Sequence, residues 1–227
     1  VKTVVLFDID GTLLLSGGAG RRAMERALDA HFGQRGPREM RYDGKTDPWI
    51  VREAMRHAGF TDAVIEARMP MVIAQYLEQL EHHLGETRAL PGVHAVVDAV
   101  EQADDLVLGV LTGNVVRGAQ LKLGAIGLAF ERFVVGAFGS DHEERPALAP
   151  IAQARASAHL GYPVPGDRLV IIGDTPADMT CGRAVGARAI GVTTGSYGHD
   201  DLQAHEAVAT FDDLRDTARV LEVIRGA

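Results

Sequence analysis

The sequence predicts an α/β fold, a doubly wound parallel sheet interrupted after its first strand by an inserted helical segment. Three observations carry that expectation. Short β-branched apolar runs recur along the chain, helical spacing separates the later ones, and a long stretch without strand signals follows the first. Thr3 to Ile9 (TVVLFDI) is too short for a helix and too continuous for a strand with one wet face, as buried parallel strands are. Similar runs stand at Asp105–Leu111, Phe133–Phe138, Arg168–Gly173 and Arg188–Val192. Val115–Leu123, Ile151–Leu160 and Met179–Val185 carry apolar residues at three- and four-residue spacing, which marks helices. Such alternation places ligands at the carboxyl ends of the strands.

Between the first and second strands, Arg21–Phe32, Pro48–Ala58, Asp62–Arg68 and Val72–His83 read as four helices. A simple crossover needs one. Residues 17–87 are therefore expected to form an all-helical insertion with hinges at Ser16–Gly20 and Leu84–Gly92. Residues 1–16 and 88–227 make the core, Rossmann-like in its alternation of strand and helix.

Composition narrows the function. Hydrophobic residues fill 46% of the 227 positions, enough to bury a core and too many for disorder. Acidic side chains outnumber basic ones by 31 to 23, so no basic surplus exists to track a nucleic-acid backbone. A small anionic substrate needs only a local positive pocket. The single cysteine, Cys181, excludes a disulfide framework and a cysteine-built zinc site. No apolar run reaches the length of a membrane span and no signal-peptide pattern precedes the first strand. A cytoplasmic protein with no membrane partner is expected.

The chemistry concentrates where strands end. Asp8-Ile9-Asp10-Gly11-Thr12 puts two acids one residue apart directly after the first apolar run. Their repulsion calls for a compensating charge, and a hard cation such as Mg²⁺ takes oxygen ligands. Gly173-Asp174-Thr175-Pro176-Ala177-Asp178 brings two more acids to the end of another strand. Alone they suit a helix N-terminus; four acids meeting on one rim make metal binding the better account. Leu111-Thr112-Gly113-Asn114 offers a hydroxyl and backbone N–H groups at a helix start, which suit a phosphate oxygen or an ordinary turn.

Taken together, and in the chain order Asp8–Thr12, Leu111–Asn114, Gly173–Asp178, these motifs resemble the haloacid dehalogenase superfamily of aspartyl-nucleophile hydrolases. Within it, the chain looks like the phosphatases and mutases that carry a helical cap after the first motif. The resemblance implies that Asp8 is the nucleophile and Asp10 the general acid/base. It implies Mg²⁺ held by Asp8, the Asp10 main-chain carbonyl and Asp174, with Asp178 in support, and phosphoryl oxygens bound by Thr112, Gly113 and Asn114. The resembling dehalogenases lack the second acid, so Asp10 points to phosphoryl transfer. The physical reading agrees, since an ionised Asp8 attacks an anion only if the repulsion is screened.

One position departs from the family's pattern. Where a lysine is usual before the last metal motif, this chain has Glu143-Glu144-Arg145-Pro146, and no lysine follows Lys122. The phosphate-contacting role is carried to Arg145, whose guanidinium can fork to phosphate but is bulkier than ammonium.

Other features read as bland. Gly18–Ala23 matches a loose dinucleotide fingerprint but does not follow its strand directly, and is taken as a hinge. Cys181 is expected to be packing, His82, His83 and His142 to be solvated, and Trp49 to pack the insertion's own core. Gly44-Lys45-Thr46-Asp47 admits two readings, a helix-capping turn or a cap loop in which Lys45 and Thr46 select the substrate. The expected function is a Mg²⁺-dependent phosphatase for a small phosphorylated metabolite such as phosphoglycolate or a sugar phosphate. A sugar-phosphate mutase is the near alternative, and a phospho-accepting or non-catalytic binding domain the distant one.

Overall fold

Alternate residues of the first strand feed two different cores, and that is why the strand is apolar throughout. In the computed structural model, which describes residues 1–226, β1 (Thr3–Phe7) lies in the middle of a parallel sheet. Val5 and Phe7 face one side and Val4 and Leu6 the other, as the two-residue period of a strand requires.

In chain order, β2 (Leu14–Leu15) precedes α1 (Ala19–Phe32), α2 (Asp47–His57) and α3 (Asp62–Glu81). Then come β3 (Arg88–Ala89), α4 (Val93–Gln102), β4 (Leu106–Thr112), α5 (Val116–Ala125), β5 (Val135–Phe138) and α6 (Leu148–Leu160). The chain finishes with β6 (Leu169–Gly173), α7 (Pro176–Cys181), β7 (Arg188–Val192), α8 (His199–Gln203), β8 (Ala209–Phe211) and α9 (Thr217–Arg225). The large sheet runs β5-β4-β1-β6-β7-β8, all parallel. Helices α4, α5 and α9 cover the face of Val5 and Phe7; α6 covers that of Val4 and Leu6. The doubly wound α/β fold expected from the sequence is the fold observed.

Three details differ from the sequence reading. The helices expected at Asp62–Arg68 and Val72–His83 are one helix, α3, which runs through Pro70. Pro70 is exposed, so the Glu66 carbonyl it frees can bond water. Ile65, Val72, Tyr76 and Leu80 form a buried stripe on the other face that holds the helix together across the proline. Second, the stretch after β1 contains strand after all. Leu14–Leu15 pairs antiparallel with Arg88–Ala89, so a short ribbon pins the two crossings into the helices side by side. Third, β8 was not anticipated; its three half-exposed residues carry no apolar run.

Helices α1–α3 enclose a separate apolar cluster built on Met24, Leu28, Val51, Met55 and Tyr76; Val115 joins it from the core and Leu121 of α5 packs against it. Trp49 packs against this cluster.

Candidate active site

Sheet order brings the three motifs together. β1 lies between β4 and β6, so Asp8, Thr112 and Asp174 stand on three adjacent strand ends. Phe7 pairs with both Val110 and Ile172, and each motif begins within two residues of those rungs. They share one cavity of about 460 Å³ with Asp10, Gly113, Asn114, Lys122 and Arg145, and its outer wall includes Arg21 of α1, Tyr42 and Lys45 of the α1–α2 connection and Tyr76 of α3.

Asp8, Asp174 and Asp178 each offer a carboxylate oxygen within 4.8 Å of the others. Burial pushes Asp8 up to about 6, with Asp178 and Asp10 adding to the rise while Arg145 opposes it. Burial, then the charges of Asp178 and Asp8, hold Asp174 well above the usual carboxylate range. Three buried acids face a single guanidinium, that of Arg145, so the cluster is short of positive charge, and its all-oxygen donor set suits a hard divalent cation. The backbone leaves room for it to be bare there. A Cβ at Gly11 would stand 2.3 Å from Asp174 Oδ2, and one at Gly195 1.8 Å from it. Asp174 is further fixed by the Thr12 hydroxyl, which donates to Oδ1 at 3.2 Å.

Asp178 sits behind this group. Its Oδ2 accepts from the Thr175 N–H at 3.0 Å and the Thr175 hydroxyl at 2.7 Å, a capping box at the start of α7. Its Oδ1 accepts from Arg145. Arg145, on a single 3-10 turn (Arg145–Ala147), is 6% exposed and also lies 3.1 Å from Asp8 Oδ1. The guanidinium thus bridges two of the acids and lines the cavity. One nitrogen, Nη2, makes both contacts, and Nε is buried without a hydrogen-bond partner.

The Asp10 side chain turns away from that group. Its Oδ2 accepts from Lys122 Nζ at 2.6 Å and from Asn114 Nδ2 at 2.8 Å. Asn114 Nδ2 also donates to Thr112 Oγ1 at 2.8 Å, and Asn114 Oδ1 accepts from Lys122 at 2.6 Å. Sequence reading missed Lys122. The available signal was its place between Ala119 and Leu123 on the apolar face of α5, an odd seat for a lysine.

The turn Gly44–Asp47 docks on the Thr112–Val115 loop. The Asp47 N–H donates to the Gly113 carbonyl at 2.8 Å, and Asp47 Oδ2 accepts from the Val115 N–H at 2.8 Å. A Cβ at Gly113 would lie 2.0 Å from the Lys45 carbonyl oxygen. Thr46 caps α2 by accepting from the Trp49 N–H and donates to the Glu143 carbonyl at 2.6 Å; it does not line the cavity. Lys45 does, with its ammonium 4.5 Å above the Trp49 ring. Among the features read as bland, Cys181 is buried with its thiol pushed up to about 12 by desolvation. His82 and His83 lie at the end of α3, away from the cavity lining.

Carboxylates and a hydroxyl on three adjacent strand ends, with a buried guanidinium beside them, suit a hydrolase that handles an anionic group. Residues 5–183 match the model of the haloacid dehalogenase-like hydrolases, and the chain belongs to that family. It is 28% identical over 220 residues to the N-acetylmuramic acid 6-phosphate phosphatase of Pseudomonas aeruginosa, covering 96% of this chain and 94% of that one. It is 27% identical to the phosphoglycolate phosphatase of Rhodospirillum rubrum, covering 92% and 87%. Among solved structures, a hydrolase from Pseudomonas syringae superposes with a TM-score of 0.73 at 24% identity, covering 99% of both chains. CbbY from Rhodobacter sphaeroides, solved with phosphate, superposes at 0.70 with 19% identity, covering 95% and 96%. Among the described residues, no helix is long and apolar enough to cross a membrane.

Proposed function

We propose that the protein is a Mg²⁺-dependent phosphatase that hydrolyses a small, carboxylate-bearing phosphomonoester through a phosphoryl group held on Asp8. The observation that carries this reading is the placement of Asp8 beside Asp174 and Arg145 at the floor of one cavity, under the Thr112–Asn114 loop. Asp8 and Asp174, with the Asp10 carbonyl, would hold the cation, and Asp178 backs them by fixing Arg145. When bound, Mg²⁺ screens the charge between nucleophile and phosphate.

In the first step an Asp8 oxygen attacks phosphorus as the ester P–O bond breaks, and Asp10 gives the leaving oxygen its proton. In the second, Asp10 takes a proton from water, the oxygen of that water bonds to phosphorus, and the Asp8–phosphorus bond breaks. Thr112 Oγ1 accepts two bonds from Asn114, through Nδ2 at 2.8 Å and the backbone N–H at 3.4 Å, so its own proton is available to a phosphoryl oxygen. Arg145 supplies the fixed positive charge.

The leaving-group side supports an acid. Lys45 and Arg88 line the outer cavity, and neither forms an ion pair with a carboxylate among the described residues. The two relatives reported above are named for substrates that are themselves acids, N-acetylmuramic acid 6-phosphate and phosphoglycolate. The test is phosphate release from matched phosphomonoesters with and without a carboxylate, in Mg²⁺ and in chelator. Wild type is expected to prefer the acids and to stop in chelator, and Lys45→Ala to lose the preference while keeping aryl phosphate hydrolysis. Turnover in chelator would refute the metal. Bisphosphate-activated isomerisation without net phosphate release would make the enzyme a mutase.

A further inference from the structure

Lys122 has no part in the reaction just described, yet it is the most deeply committed lysine in the molecule. Its side chain is 5% exposed while that of Asp10, its partner, is 42% exposed. A buried ammonium is costly unless its protons are all placed. Here one goes to Asp10 Oδ2 and another to Asn114 Oδ1, both at 2.6 Å. Asn114 closes the triangle by donating Nδ2 to the same Asp10 oxygen at 2.8 Å. On the remaining sides stand Gly20, where a Cβ would lie 3.5 Å from Nζ, and the buried Asp47, whose carboxyl burial raises against the opposing pull of the Lys122 charge.

We infer that Lys122 is a positioning residue that aims Asp10 at the substrate's leaving oxygen. Two donors converge on Oδ2 and fix the carboxyl's rotamer. Oδ1 accepts from neither and is the oxygen left to exchange a proton in the cavity. α5 supplies the lysine from a packed helix rather than a loop, so the aim does not depend on substrate binding. The inference rests on Asp10 acting as the acid/base. A purely structural lysine, stapling α5 to the β1 loop, is the competing account.

The two accounts separate on leaving groups. An aryl phosphate with a good leaving group departs without protonation, whereas an alkyl phosphate needs it. Lys122→Met is expected to lower kcat/KM for an alkyl phosphate about 10- to 100-fold and for a p-nitrophenyl ester less than about threefold. In an Asp10→Asn background, adding Lys122→Met is expected to leave both values within about twofold, because residues acting as one unit are not additive. Thermal unfolding is followed for each variant, and Lys122→Gln, which keeps an N–H donor, carries the same comparison if Lys122→Met does not fold. Equal losses on both esters, or a further loss in the Asp10→Asn background, would make Lys122 a staple and overturn the inference alone. If Asp10→Asn itself fails to separate the two esters, the acid/base reading of Asp10 falls and this inference with it.

Discussion

The Arg145 guanidinium stands against Asp8 and Asp178 with the cavity before it, where a phosphoryl oxygen would meet it. Arg145→Ala is expected to lower kcat/KM about ten- to a hundredfold on every phosphomonoester alike, since a charge-assisted bond is worth about 1.5–3 kcal/mol. Steady-state kinetics on three unrelated esters checks this; a loss confined to one ester would place Arg145 on the leaving-group side. Asp47 was legible only as a helix start. Its burial raises the carboxyl to about 6, with Lys122 and the Val115 N–H pulling the other way. The folded protein therefore favours protonated Asp47 more than the unfolded chain does. The carboxyl costs nothing below about pH 4, and its penalty grows to about 3 kcal/mol as pH rises through 6. Asn keeps an acceptor for Val115 without the charge. Melting temperatures of wild type and Asp47→Asn are expected to diverge between pH 4 and 6 in favour of the variant; a gap independent of pH would contradict the assignment.

At the scale of elements, long apolar runs were legible and short pairings were not. β1, β4, β6 and β7 announce themselves because both faces are buried. The Leu14–Leu15 and Arg88–Ala89 ribbon is two residues long on each side and has no periodicity to read. The break read between Arg68 and Val72 is absent, because the buried stripe from Ile65 to Leu80 carries α3 through Pro70. The turn Gly44–Asp47 could be read as a cap or as a substrate loop, and the structure gives it a third duty as the clasp on the Thr112–Val115 loop. Gly113 is where that clasp is tightest, with no space for a Cβ against the Lys45 carbonyl oxygen. Gly113→Ala is expected to cost about 1–3 kcal/mol of stability and to cut activity on all substrates, because the Thr112–Asn114 loop must shift. Differential scanning calorimetry with parallel kinetics checks it; unchanged activity would show that the loop's position is not needed.

Across the whole molecule, chain order and sheet order together make the site. Three motifs about 60–100 residues apart in sequence meet because β1 lies between β4 and β6. Residue type at a strand end could therefore be read directly from the sequence. Partnership across elements could not: Lys122 and Asp10, 112 positions apart, meet only once α5 packs beside β1. The inserted helices keep their own apolar cluster and reach the core through the clasp, the ribbon and Val115. The central claim is that Asp8 carries the phosphoryl group, and acid quenching during turnover tests it most directly. Peptide mass spectrometry of enzyme quenched with an acidic phosphomonoester and Mg²⁺ is expected to find one phosphoryl group on the peptide containing Asp8, and none in Asp8→Asn. Phosphate release by Asp8→Asn at the wild-type rate, or a phosphoryl group on any other residue, would contradict it.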